Sequence, residues 1–167
     1  MIRVVVDDLA FLAVDAVLRP ADEHLEPVTP AAVRLDAQGG SRLQDQRRLQ
    51  SPLEAGAAVV TGGGDLTAPF VIHLVVQSRI QPIDRQSVRR ALVSGWQRAE
   101  AWQLYKVAAP LVGAGPGGLP VEDAASLLIE TWRTGFDPGH GGRTLDIVLE
   151  READRATVEA VVGRNDS

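Results

Sequence analysis

"KVAAPLVGAGPGGLPVEDAASLLIETW", residues 106–132, runs from a short apolar stretch through a glycine-rich loop into an apolar-periodic segment opened by a proline. Residues 106–112 read as a buried strand. Four of the chain's sixteen glycines, Gly113, Gly115, Gly117 and Gly118, follow within six residues, so the backbone turns there free of Cβ hindrance. Pro120 suits a first helical position. Val121, Ala124, Ala125, Leu128 and Trp132 then recur at helical spacing. A strand that ends in such a loop and opens onto a helix is the repeating unit of a layered α/β fold. Backbone amides and the helix macrodipole make that junction suitable for an anion.

The same alternation extends in both directions. "IRVVV" (2–6) and "VDAVLRP" (14–20) read as strands, the second stopped by Pro20. After the polar stretch "ADEHLEPVTP", residues 31–37 suggest a short helix, and "SRLQDQRRLQS" (41–51) a second, mostly exposed one. "AAVVTGG" (57–63) and "PFVIHLVV" (69–76) predict two strands joined by a loop of hairpin length. A helix is predicted over 85–103, with Asp84 as N-cap and Val88, Leu92, Trp96, Ala99 and Trp102 on its buried face. A strand over 144–150 and a helix over 154–162 close the chain. The expected architecture is a three-layer α/β/α sandwich with a mixed, mostly buried central sheet, formed by residues 1–167 as one domain with a short polar tail. Ligands of such sheets sit beyond the carboxyl ends of the strands.

Composition narrows the function. The chain has 167 residues, 45% hydrophobic and 23% charged, with a net charge of −5. That balance argues against duplex nucleic acid as a partner. There are no cysteines, which excludes disulfides, thiolate catalysis and cysteine-ligated metals. No signal peptide is evident and no apolar run approaches the ~20 residues that span a bilayer. The expectation is a cytoplasmic protein with no membrane partner; a homo-oligomer is left open. No cofactor is implied.

Gly113, Gly115 and Gly118 also fit G-x-G-x-x-G, but alone this is a weak dinucleotide-binding signal. It comes late in the chain, and the acid at the expected spacing, Asp137, lies in a loop rather than at a strand end. A glycine turn without a ligand is the plain alternative.

Taken together, three stretches resemble the macro domain family, whose members typically bind ADP-ribose and related nucleotides. "IRVVVDDLAFLAVDAVLRPAD" is similar to the family's opening, "GAAVVTGGGDLTAPFVIHLVV" to its central hairpin, and "PLVGAGPGGLPVEDAASLLIETW" to its second phosphate loop and following helix. The likeness runs in order from about residue 2 to 163.

The resemblance implies a site in four parts. Asp8 stands where the family's aspartate accepts from the adenine amino group, with Leu9 beside the base; the plain alternative is a strand-end acid capping a turn. Arg19 and Asp22 stand where the family has paired asparagines. Asp22 is a candidate catalytic base on water for ADP-ribosyl hydrolysis, or a solvated loop acid. The first loop, "LEPVTPAAV", has no glycine; Pro27 and Pro30 lack an N–H, and Glu26 adds negative charge. The second loop, residues 113–119, keeps Gly113, Gly115, Gly117 and Gly118. It offers the amides of Ala114, Gly115, Gly117 and Gly118 to an anion, while Pro116 removes one donor and Leu119 ends the loop. "EREAD" (150–154) supplies no aromatic cover.

The remaining groups read plainly. His24, His73 and His140 are far apart, so no metal is expected; His73 reads as a core histidine, His24 and His140 as loop residues. No G-x-S-x-G elbow occurs. Trp96, Trp102 and Trp132 read as core. The Arg47–Arg48 and Arg89–Arg90 pairs read as solvated. Three functions therefore stand: a divergent ADP-ribose-binding domain without hydrolase activity, a structural or protein-interaction module that has lost its ligand, or an ADP-ribosyl or O-acetyl-ADP-ribose hydrolase using Asp22.

Overall fold

The computed structural model describes residues 1–135 and 141–166; Asp137 and His140 lie outside them. Among the described residues six strands are present: β1 (Ile2–Val6), β2 (Ala16–Ala21), β3 (Ala58–Gly62), β4 (Phe70–Val75), β5 (Lys106–Ala109) and β6 (Thr144–Leu149). They form one sheet in the order β1-β6-β5-β2-β4-β3. All neighbours are parallel except β3, which pairs antiparallel with β4 as the predicted hairpin.

The helices that cover the sheet among the described residues are α1 (Pro30–Gln46), α2 (Arg85–Ala101), α3 (Val121–Gly135) and α4 (Arg155–Asn165). Strand residues alternate between the two faces. Leu18, Ile72, Leu74, Val107 and Ile147 join Trp96 and Leu128 in the core beneath α2, α3 and α4. Val17, Val71, Ala108 and Val148 pack with Leu35 and Leu43 beneath α1. This is the expected three-layer sandwich with a mixed, buried sheet.

Local chemistry explains the helix ends. The Asp84 side chain accepts from the Ser87 amide, and the Ser87 hydroxyl accepts from the Asp84 amide, a full capping box on α2. Trp96 is buried and its indole N–H donates to Thr131 Oγ1 on α3 at 2.9 Å.

The two short helices expected after residue 30 are both present, separated at Gly40, whose φ of 71° is non-helical, and α1 spans the two together. The second is mostly exposed, as expected, with Leu43 buried. Two expectations are corrected. Trp102 is not core: α2 ends at Ala101, so Trp102 is the C-cap residue, 52% exposed, edge-on to Phe70 at 5.6 Å. Arg47 is not solvated; it is buried against Asp36.

Candidate ligand-binding groove

Parallel strands end together, and the segments that follow them build a groove at that rim. Pro20 comes from β2, Pro110 follows β5, Val76 follows β4, and Leu149 and Glu150 close β6. Two adjoining cavities of ≈ 360 Å³ and ≈ 220 Å³ share Pro20, Thr29, Ala114, Gly115, Pro116 and Glu150. A recess of ≈ 20 Å³ lined by Asp8, Leu9 and Arg34 continues from the larger cavity past Pro110 and Val148. A larger cleft of ≈ 680 Å³ lies where β1 and β6 begin, beside Trp132 and Arg143. It is bordered by Gly141 and Gly142, the first residues after the undescribed stretch.

The glycine loop divides its labour. The Ala114 amide donates to Leu111 at 3.0 Å, Gly118 to Gly115 at 2.9 Å and Leu119 to Gly113 at 2.7 Å. Ala114 and Gly118, two of the four expected anion donors, are thus used within the turn. The amides of Gly115 and Gly117 have no protein acceptor among the described residues. A Cβ added to either glycine would meet nothing within 4 Å, whereas one on Gly118 would lie 2.3 Å from the Gly113 carbonyl oxygen. Gly118 therefore closes the loop, and Gly115 and Gly117 face open space, with Pro116 between them on the groove wall.

On the opposite wall, Thr29 caps α1, its Oγ1 accepting from the Ala32 amide at 3.2 Å. Pro30 has no N–H, which leaves Ala31, a groove-lining residue, with the free amide of that first turn. Asp8 caps the short 3-10 turn Leu9–Phe11: its Oδ1 accepts from Ala10 at 3.0 Å, and Oδ2 has no partner among the described residues. Leu9 is nearly buried beside it.

Asp22 and Arg19 do not line this groove. Asp22 Oδ1 accepts from the amides of His24 at 2.8 Å and Glu26 at 3.0 Å, closing a tight turn over residues 22–26. That turn drives Leu25 into a small cluster with Ala21 and Val75. His24 is a surface residue, 4.0 Å from Glu23. No cluster of three metal-ligating side chains occurs among the described residues.

Beneath the turn lies a buried ion network. Arg19, fully buried, donates to Asp36 at 2.9 Å and to the Leu25 carbonyl at 2.8 Å. Arg47 forms two hydrogen bonds to the same carboxylate, at 2.9 and 3.0 Å, and two more to Glu26, at 3.1 and 3.3 Å. Glu26 is therefore neutralised by Arg47 rather than left to repel an anion. Burial pushes the Arg19 guanidinium down to about 10, against the pull of Asp36. It remains a cation at neutral pH.

His73 completes the network. Its Nδ1 lies 3.2 Å from Arg19 Nη1 and its Nε2 2.8 Å from Thr61 Oγ1. A guanidinium only donates, so Nδ1 is the acceptor and the proton sits on Nε2. Burial, then the positive charges of Arg19 and Arg47, hold His73 well below its usual value of 6.5. The unfolded chain takes up this proton first, so stability is complete above about pH 6.5 and falls as pH drops, by up to about 1.4 kcal/mol per unit. His73→Gln keeps an acceptor and a donor and does not titrate. Its urea stability between pH 7 and pH 5 should fall less steeply than that of the parent; equal slopes would show that His73 contributes none of the dependence.

Sequence reasoning missed Asp36, although a signal existed. Ala32, Leu35, Asp36, Gly39 and Leu43 form the buried stripe of α1, and an acid in such a stripe needs a buried partner. Glu150, Thr29 and Arg34 carried no local signal; only the topology brings them together.

The comparisons agree with this fold. The profile of the Macro domain family matches residues 19–128. A protein of Aquifex aeolicus is 29% identical over 160 residues, covering 95% of this chain and 94% of its own. One from Mycobacterium tuberculosis is 28% identical over 160 residues, 96% of this chain but 44% of its own length, so the chain spans less than half of that relative. Among solved structures, the Oceanobacillus iheyensis macrodomain with ADP superposes with a TM-score of 0.83 at 18% identity, covering 98% of this chain and 90% of that one. The Trypanosoma brucei macrodomain in complex with ADP-ribose gives 0.84 at 20% identity, covering 97% and 69%. The chain belongs to the macro domain family.

Proposed function

We propose that the groove binds ADP-ribose or a closely related nucleotide, without hydrolysing it. The observation that carries this reading is the glycine loop on the groove wall, where the amides of Gly115 and Gly117 have no protein acceptor among the described residues; Gly115 lines both cavities, and Gly117, which lines neither, is exposed beside them. Amides held in that way stabilise a phosphate without reorganising. The main cavity, at ≈ 360 Å³, falls in the range of roughly 300–1,000 Å³ usual for small-molecule sites. Asp8, with one free carboxylate oxygen beside Leu9, suits the adenine edge. The macrodomains of similar fold that carry ADP or ADP-ribose support the ligand class.

Hydrolysis with Asp22 as base is disfavoured, since one of its oxygens already holds two amides of its own turn.

Calorimetric titration with ADP-ribose tests the reading. The expected dissociation constant is micromolar, about 8 kcal/mol of binding free energy. Asp8→Ala should weaken ADP-ribose about tenfold, by loss of a charge-assisted hydrogen bond, and leave ribose 5-phosphate unchanged. No heat at millimolar ADP-ribose would reject binding; equal weakening of both ligands would remove Asp8 from the adenine contact.

A further inference from the structure

The groove is pinched where Arg34 meets Glu150. Arg34 lies one turn into α1, and Glu150 directly follows β6. Arg34 Nη2 donates to Glu150 Oε1. Glu150 borders all three compartments, and Arg34 lines only the recess that holds Asp8. Ala31, Pro110 and Val148 are common to that recess and the main cavity. The ion pair therefore ties the helix layer to the sheet rim at the boundary between the two. On the far side only ≈ 20 Å³ is open to the centre of a water molecule, room for about one water. A purine ring does not enter such a space unless the boundary moves.

We propose that the Arg34–Glu150 pair is a removable partition that sets the length of ligand the groove accepts. Closed, it admits a ribose phosphate or another short anion to the glycine loop. Opened, it lets an adenine nucleotide extend to Asp8. This inference rests on reading the groove as a nucleotide site. Opening is easy because both side chains are half exposed, at 55% and 49%. An ion pair so exposed is worth at most about fivefold in an equilibrium constant. It also gives the protein a reason to discriminate: a ligand that does not reach Asp8 leaves the pair intact, and one that does must break it.

Two variants separate the partition from its charge. Arg34→Ala removes the partition and leaves the Glu150 carboxylate in place. Glu150→Gln removes both the ion pair and the negative charge. The readout is the ratio of dissociation constants for ADP-ribose and ribose 5-phosphate, by calorimetry on the full chain. Both variants should shift this ratio toward ADP-ribose by about fivefold. If Glu150→Gln tightens both ligands equally and Arg34→Ala changes neither, Glu150 acts by charge alone and the partition is overturned. If Arg34→Ala weakens ADP-ribose, Arg34 is a ligand contact and the partition is likewise overturned. Unchanged ratios on a parent that binds ADP-ribose would reject the partition and leave the nucleotide reading standing. No binding by the parent or either variant would reject both.

Discussion

Asp36→Ala is expected to lower the unfolding free energy by about 3–5 kcal/mol, the usual penalty for removing one member of a buried ion pair. The loss is large because one carboxylate serves two guanidinium groups. Arg19 is fully buried and Arg47 nearly so, and Asp36 is only 7% exposed. Without it, Arg19 keeps only the Leu25 carbonyl and the neutral His73 ring as partners, with its Nε already unsatisfied. Two cations would then share a low-dielectric site with no nearby counter-charge except Glu26. Urea denaturation at pH 7 measures this directly. A change below about 1 kcal/mol, the range of exposed ion pairs, would mean that water reaches the network. The network also holds the 22–26 turn, through Arg19 to the Leu25 carbonyl and Arg47 to Glu26. Asp36→Ala should therefore loosen the 22–26 turn even at temperatures where the sheet remains folded.

Gly118→Ala has the second largest expected effect, and it acts on the groove. The added Cβ would stand 2.3 Å from a backbone oxygen, that of Gly113. Backbone cannot swing aside as a side chain can, so the 113–118 turn must deform. The strain is on the order of 1–3 kcal/mol, and the deformed loop no longer presents the Gly115 and Gly117 amides together. ADP-ribose binding should weaken about tenfold or more. Gly117→Ala is the comparison: its Cβ meets nothing within 4 Å, and the burden is the positive φ of 77° alone, about 1–2 kcal/mol. It should lower the melting temperature with the loop shape kept. Binding by Gly118→Ala within twofold of the parent would show that the loop does not present the phosphate donors.

The fold was legible because its signals are periodic. Short β-branched runs alternating with helical stripes gave every strand within about three residues, and the capping chemistry of Asp84 marked α2. Where periodicity ends, reading from the sequence weakened. Trp102 continues the spacing of Val88 and Trp96, but the helix stops one residue before it. By contrast, the two short helices after residue 30 were legible, since the break at Gly40 falls between their periodic stretches.

The candidate groove was legible in part. The glycine loop and Asp8 were found from local pattern and from the likeness to macro domains. The pattern did not reveal which amides the loop uses internally, since hydrogen bonds such as Leu119 to Gly113 depend on the turn's three-dimensional shape. Glu26 read as a repulsive charge because its partner, Arg47, is 21 residues away in sequence. Arg34 and Glu150 are separated by 116 residues, and the parallel sheet alone brings α1 against the end of β6.

The most direct measurement is an amide-resolved NMR titration of the isotope-labelled chain with ADP-ribose. Binding through the open loop amides predicts that the Gly115 and Gly117 resonances move downfield together, with a common saturation curve, while the amide of Asp22 stays in place. Shifts that leave Gly115 and Gly117 unmoved at saturating ligand would contradict it.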